Sequence, residues 1–103
     1  MIIHVTPEGA VELRERDDFK NFKIAVERQA PSHDFIARAL TGIAALEPDG
    51  KTAWVKADAL RAWQGRAQAP EWVASFDKMV ESVRRFGWVR EDGTVRAHVE
   101  VQA

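Results

Sequence analysis

The sequence predicts an α+β fold, in which a three-helix unit is closed by a C-terminal β-hairpin and preceded by an N-terminal antiparallel β-hairpin or three-stranded meander. Three observations predict it. An apolar stripe at helical spacing runs through residues 70–86, and an Asp-Gly turn flanked by alternating valines follows directly. A second pair of alternating segments, folded about a Pro-Glu-Gly turn, opens the chain.

The opening pair covers residues 2–14. With Pro7-Glu8-Gly9 as a three-residue loop, Val5 faces Val11 and Ile3 faces Leu13, which leaves Ile2, His4, Glu12 and Arg14 on the other side. Residues 17–30 are ambiguous. As a helix, Phe19, Phe22, Val26 and Ala30 share a narrow stripe but Ile24 is stranded opposite; as a strand, Phe22, Ile24 and Val26 alternate with Lys23, Ala25 and Glu27. The strand leaves no apolar side chain stranded. It makes residues 2–27 a three-stranded antiparallel meander with Arg16–Asp18 in the second turn.

Pro31 breaks this pattern, and Ser32 is placed to cap a helix running to about Leu46, with Phe35, Ile36, Ala39, Leu40, Ile43 and Leu46 on its apolar face. Asp34 and Arg38 form an i,i+4 pair on the opposite side. Glu47-Pro48-Asp49-Gly50-Lys51 is a turn, and Thr52 to Val55 is a very short strand. Asp58 then caps a two-turn helix, Ala59 to Gln64, with Leu60 and Trp63 on one side and Gly65 as its stop. A turn containing Arg66 leads to the long helix. Pro70 suits its first position, Glu71 the positive end, and Arg84 and Arg85 the negative end, while Trp72, Val73, Phe76, Met79, Val80, Val83 and Phe86 share the core face. Gly87 ends it.

In the C-terminal hairpin the loop length decides the register. A two-residue Asp92-Gly93 loop pairs Val89 with Arg96, whereas a three-residue Glu91-Asp92-Gly93 loop with Gly93 at the left-handed position pairs Val89 with Val95. The second keeps Val95, Ala97, Val99 and Val101 on one face, and Arg96, His98 and Glu100 on the other.

From residue 32 onward the order is helix, short strand, short helix, turn, long helix, strand, Asp-Gly turn, strand. In this order of elements the chain resembles the winged helix-turn-helix class, with SHDFIARALTGIAAL as first helix, KADALRAWQG as second, PEWVASFDKMVESVRRFG as third and WVREDGTVRAHV as the wing. The resemblance begins at Ser32 and runs to the end of the second wing strand. It departs from the class in the segment before Pro31, which the class does not require, and in the longer, proline-bearing turn before the third helix. It implies a single domain made of a β-rich extension, residues 1–30, and a winged-helix-like unit, residues 32–101. It also implies contacts through the third helix and wing, and most members of the class bind DNA there.

Charge weighs against that partner. The chain carries 15 Lys plus Arg against 16 Asp plus Glu, a formal net charge of −1, and residues 53–101 are nearly balanced. Phosphate binding scales with uncompensated cations. Arg66, Lys78, Arg85, Arg90 and Arg96 are candidate contacts, but Asp77, Glu81, Glu91 and Asp92 lie among them. A protein partner, or self-association, is therefore expected ahead of nucleic acid. No apolar run reaches the roughly 20 residues that span a bilayer, so no membrane is expected as a partner. The chain has no cysteine, which excludes thiolate metal sites and suits a reducing cytoplasm.

No residue is predicted to be catalytic, and no cofactor or metal is expected. A glycine-rich phosphate loop, a paired-carboxylate motif and a thiol nucleophile are all missing from the sequence. Ser32-His33-Asp34 spells a triad only in letters, since adjacent side chains diverge. His98 and Glu100 share a strand face that would need His4 from the first hairpin to complete a metal site; an exposed polar face explains them better. Of the four tryptophans, Trp72 and Trp63 fall on core faces and Trp54 lies in a strand. Trp88, opposite Arg96 on the outer face of the hairpin, is the exposed indole and joins the five cations as a contact residue.

Overall fold

The computed structural model describes residues 1–102. Its centre is a six-stranded mixed sheet, curled as a half-barrel around the apolar faces of three helices. The strands are β1 (Ile2–Val5), β2 (Val11–Arg14), β3 (Lys23–Glu27), β4 (Ala44–Leu46), β5 (Thr52–Lys56) and β8 (Thr94–Gln102); the helices are α1 (His33–Ala39), α2 (Ala57–Arg61) and α3 (Pro70–Arg84). Two-residue strands β6 (Ala62–Trp63) and β7 (Arg66–Ala67) form a separate small ribbon. The order across the large sheet is β2-β1-β3-β8-β5-β4.

This overturns the expectation of a winged-helix-like three-helix unit. The C-terminal segment is no projecting wing, because β8 is an interior strand that pairs parallel with β3 and antiparallel with β5. Val95, Ala97 and Val99 are buried, and this alternating inward face lies over the apolar core from the interior of the sheet. The N-terminal strands are no extension either: they continue the same sheet through the β3–β8 pairing.

Several local expectations hold. Val5 pairs with Val11 and Ile3 with Leu13 across the first turn, and residues 23–27 form a strand, not a helix. The antiparallel meander does not form. β3 runs parallel to β1, on the edge away from β2, with Lys23 and Arg14 flanking Ile2 on opposite sides. Residues 15–22 therefore pass across the end of β1. They are held there by distant partners: the Trp72 indole N–H donates to the Arg16 carbonyl at 2.9 Å, and Phe19 packs 5.7 Å from the Trp72 ring. The Met1 amine also donates to the Asp18 carbonyl.

The helix expected over residues 32–46 stops at Ala39. Ser32 caps it as expected, accepting from the Phe35 N–H at 3.0 Å, but Gly42 adopts φ 82° and Ala44–Leu46 leave the helix to pair with β5. Sheet hydrogen bonds and the burial of Leu40 outweigh helix propensity here. The second helix begins at Ala57, one residue before its expected cap, so Asp58 lies in the first turn without capping. Instead Asp58, with Asp77 of α3, receives the Arg61 guanidinium at 2.7 and 2.8 Å, which fastens α2 to α3. In α3, Pro70 takes the first turn and Trp72, Phe76, Met79 and Val80 are buried against the sheet. Phe86, expected in that stripe, lies beyond the end of the helix and is 55% exposed. No helix among the described residues is long and apolar enough to cross a membrane.

Candidate interaction site

Along one edge of β8, two partners follow each other end to end. Val89 bridges to Val95 near the start of β8, and β3 takes over from His98 onward, so Ala97 falls between the two. Both partners lie opposite β5, because Val95 also pairs with Val55 and His98 also pairs with Thr52. The sheet is thus interrupted beside Ala97. Phe22, just before β3, and Trp88, just before the bridge, line the interruption from its two sides.

Two hollows adjoin the interruption and, sharing Phe22, Trp88 and Arg96, together make up a cleft. The outer opening, about 350 Å³, is lined by Phe22, Thr52, Trp88, Arg96 and His98. The opening toward α3, about 320 Å³, shares Phe22, Trp88 and Arg96 and adds Phe19, Lys20, Met79, Ser82, Val83 and Val95. The floor is apolar and its rim is cationic. No acidic side chain lines either opening, although acids outnumber bases in the chain as a whole.

Next to the cleft lies the most exposed aromatic surface of the molecule. The Phe86 ring, 55% exposed, and the Trp88 ring, 38% exposed, stand with centroids 5.1 Å apart. Arg85 lies 4.9 Å over Phe86 and Arg96 lies 5.9 Å over Trp88. Backbone geometry sets this up: the Arg96 N–H donates to the Trp88 carbonyl at 2.8 Å, so their side chains share the outer face. Each arginine is attracted to the ring it overlies, and both rings remain partly exposed.

Of the six residues proposed from the sequence, the fold brings Arg85, Trp88 and Arg96 together and places the other three elsewhere. Arg90 stacks 3.7 Å over Trp54 and pairs with Glu47 at 3.3 Å, and Glu47 also accepts from the Trp54 indole at 2.6 Å. Arg90 is thereby occupied within the protein. Arg66 belongs to the β6–β7 ribbon, lining a separate hollow of about 600 Å³ with Arg16, Gln64 and Gln68. Lys78 is exposed on α3, outside the linings of the cleft.

Sequence reasoning missed Phe19, Lys20, Phe22 and Phe86. Lys20 and Phe22 reach the cleft only because residues 15–22 cross the end of β1, a path set by Trp72 in a helix far along the chain. No local signal carries that information. The exposure of Phe86 was more accessible, since the residue stands beside Gly87, whose φ of 75° turns the chain away from the helix axis.

The polar motifs have structural explanations. The His33 ring bonds the Glu47 carbonyl at 2.9 Å and ties α1 to the turn before β5. His98 faces Glu100 at 3.8 Å, whereas His4 turns to Glu27 at 3.0 Å, with Ala25 standing between His4 and Glu100 across the strands. Among the described residues, no three metal-type side chains converge. A further hollow of about 520 Å³, between the tip of the first hairpin and the β6–β7 turn, is lined without any ionisable group. No protein-family model, curated protein or solved structure matches this chain.

Proposed function

We propose that this chain is a small noncatalytic interaction domain that engages a partner protein through the surface formed by Phe86, Trp88, Arg85 and Arg96. The observation that carries this reading is the pair of exposed rings, 5.1 Å apart, each overlaid by an arginine. Aromatic residues and arginine are the side chains most enriched at the energetic centres of protein interfaces. The contrast within the molecule supports it. Trp63 and Trp72 are buried, and Trp54 is covered by Arg90. Trp88, with Arg96 farther from its ring at 5.9 Å, stays 38% exposed beside a cleft that an incoming side chain can enter.

The reading places the domain in the cytoplasm, in keeping with a chain that carries no cysteine. The test is a selection of binders from a displayed library of protein fragments, repeated against Trp88→Ala and Phe86→Ser. Binders to the parent chain that lose about tenfold or more in affinity to both variants are expected, with near-ultraviolet circular dichroism showing that the fold is kept. Binders indifferent to both substitutions would refute the assignment.

A further inference from the structure

Resting on that reading, we infer that the occupant of the cleft is an acidic segment of another protein, carrying one bulky apolar side chain that enters between Phe22 and Trp88 while its carboxylates meet Lys20, Arg96 and Arg85.

Elsewhere on the molecule some basic groups are neutralised in place: Arg14 by Glu12, Lys23 by Glu100, Arg38 by Asp34, Arg61 by Asp58 and Asp77, Arg84 by Glu81, and Arg90 by Glu47. Arg28, Lys51, Lys56, Arg66 and Lys78 are exposed without an ion pair among the described residues, so the cleft is set apart by cations beside an apolar opening that no carboxylate lines. Lys20, Arg85 and Arg96 are exposed and make no ion pair among the described residues, and no carboxylate is present in either lining. Two lining residues have an acidic neighbour: His98 faces Glu100 at 3.8 Å, and the Lys20 backbone N–H donates to the Asp18 carboxylate at 3.2 Å, although the Lys20 ammonium makes no ion pair among the described residues. A cationic rim about an apolar floor is complementary to a ligand that is anionic outside and apolar at its centre.

The same charges decide between occupants. A second copy docking by a two-fold axis would lay this patch on itself and bring Arg85 and Arg96 against Arg85 and Arg96, which like-charge repulsion opposes. Self-association through this surface is therefore disfavoured, and the partner is a different chain. Single-stranded nucleic acid also offers anionic groups and flat rings, but tight binding there requires a track of cations along the backbone. Here Lys20, Arg85 and Arg96 flank one opening, and the other exposed cations without an ion pair, among them Arg28, Lys51, Arg66 and Lys78, lie on separate elements and not along one track. Arg90, the next cation along the ribbon, is already held by Glu47.

The experiment is a selection from a random peptide display library on the intact chain, followed by affinity measurement with synthetic copies of the selected peptides. Peptides with one Leu, Ile, Phe or Trp flanked by at least two Asp or Glu are expected. Their affinity should fall about tenfold or more for Arg96→Glu and for Lys20→Glu, and stay within about twofold for Lys51→Glu, which reverses a charge on the distant turn before β5. Both test residues are exposed, so their reversal should leave the fold intact, to be checked by thermal melting. Selected peptides that are neutral or basic yet depend on Trp88 would overturn the acidic-partner inference and leave the interaction surface standing. An empty selection, or peptides indifferent to Trp88, would remove both. Tighter binding of oligo(dT) than of any selected peptide, falling steeply between about 50 and 200 mM salt, would overturn the inference in favour of nucleic acid.

Discussion

Val89 faces Val95 across the Glu91-Asp92-Gly93 turn, and this one pairing sets which side chains of the C-terminal ribbon look inward. A slip of one residue would exchange the faces of the strand, burying Arg96 and exposing Val95. With the observed register Val95 is buried, and Trp88 and Arg96 are presented together.

Gly93 makes that register available. It sits at φ 81° with open space where a Cβ would project, so a substitution there meets backbone strain without a clash. Gly93→Val should cost about 1–3 kcal/mol in urea denaturation. Gly93→Asn should cost less, because Asn tolerates the left-handed region. Equal losses for the two would show that the turn does not require that conformation.

Asp92 completes the turn. Its carboxylate accepts from the Thr94 hydroxyl at 2.6 Å and from the Thr94 N–H at 3.0 Å, and these bonds, the hydroxyl first, hold its pKa below the usual aspartate range. Because the folded value is depressed, the stability it contributes is present above the unfolded pKa of about 3.9 and is lost as pH falls through the folded value. Carboxyl chemical shifts should show Asp92 titrating below that of a model aspartate. Thr94→Val should return the midpoint toward about 3.9; no upward movement would mean the hydroxyl bond is not the cause.

Phe76 anchors α3. It is fully buried and stacks on Trp72 with centroids 5.2 Å apart and planes 7° from parallel. Phe76→Ala should destabilise the fold by about 3–5 kcal/mol, measured by guanidinium denaturation. A loss far below that range would mean the helix does not pack through this side chain.

His4 is 4% exposed, and its Nδ1 is buried without a hydrogen-bond partner. Its other nitrogen meets Glu27, whose side chain is half exposed and able to rehydrate. His4→Leu removes the unsatisfied nitrogen, whose burial costs about 1–3 kcal/mol, and forfeits one bond that is worth about 1 kcal/mol. On those magnitudes, stability in urea denaturation should rise or change by less than about 1 kcal/mol. A drop well beyond the worth of that single bond would show that the imidazole is more than a filler of that position.

Much of the local structure was legible in the sequence, because it depends on interactions between near neighbours. The turns at Pro7-Glu8-Gly9 and Glu91-Asp92-Gly93 set their hairpin registers, Ser32 and Pro70 mark helix starts, and the stripe from Trp72 to Val83 selects the buried face of α3. The partial exposure of Trp88 and its pairing with Arg96 follow from the same turn grammar. Helix lengths were less legible. Ala44–Leu46 fit a helical stripe as well as a strand, and only the presence of β5 beside them resolved the choice.

By itself, then, the sequence determined the turns, the inward faces and the exposed indole, since each is a matter of backbone sterics and apolar periodicity over neighbouring residues. Tertiary structure alone decided that β8 would be an interior strand, that β3 would run parallel to β1, and that the path of residues 15–22 would carry Phe22 to Trp88. The reason is physical: strand partners and cleft walls are chosen by burial and hydrogen bonding between segments as distant in sequence as those that bring Lys23 to Glu100. Periodicity within one segment holds no record of which other segment will cover it.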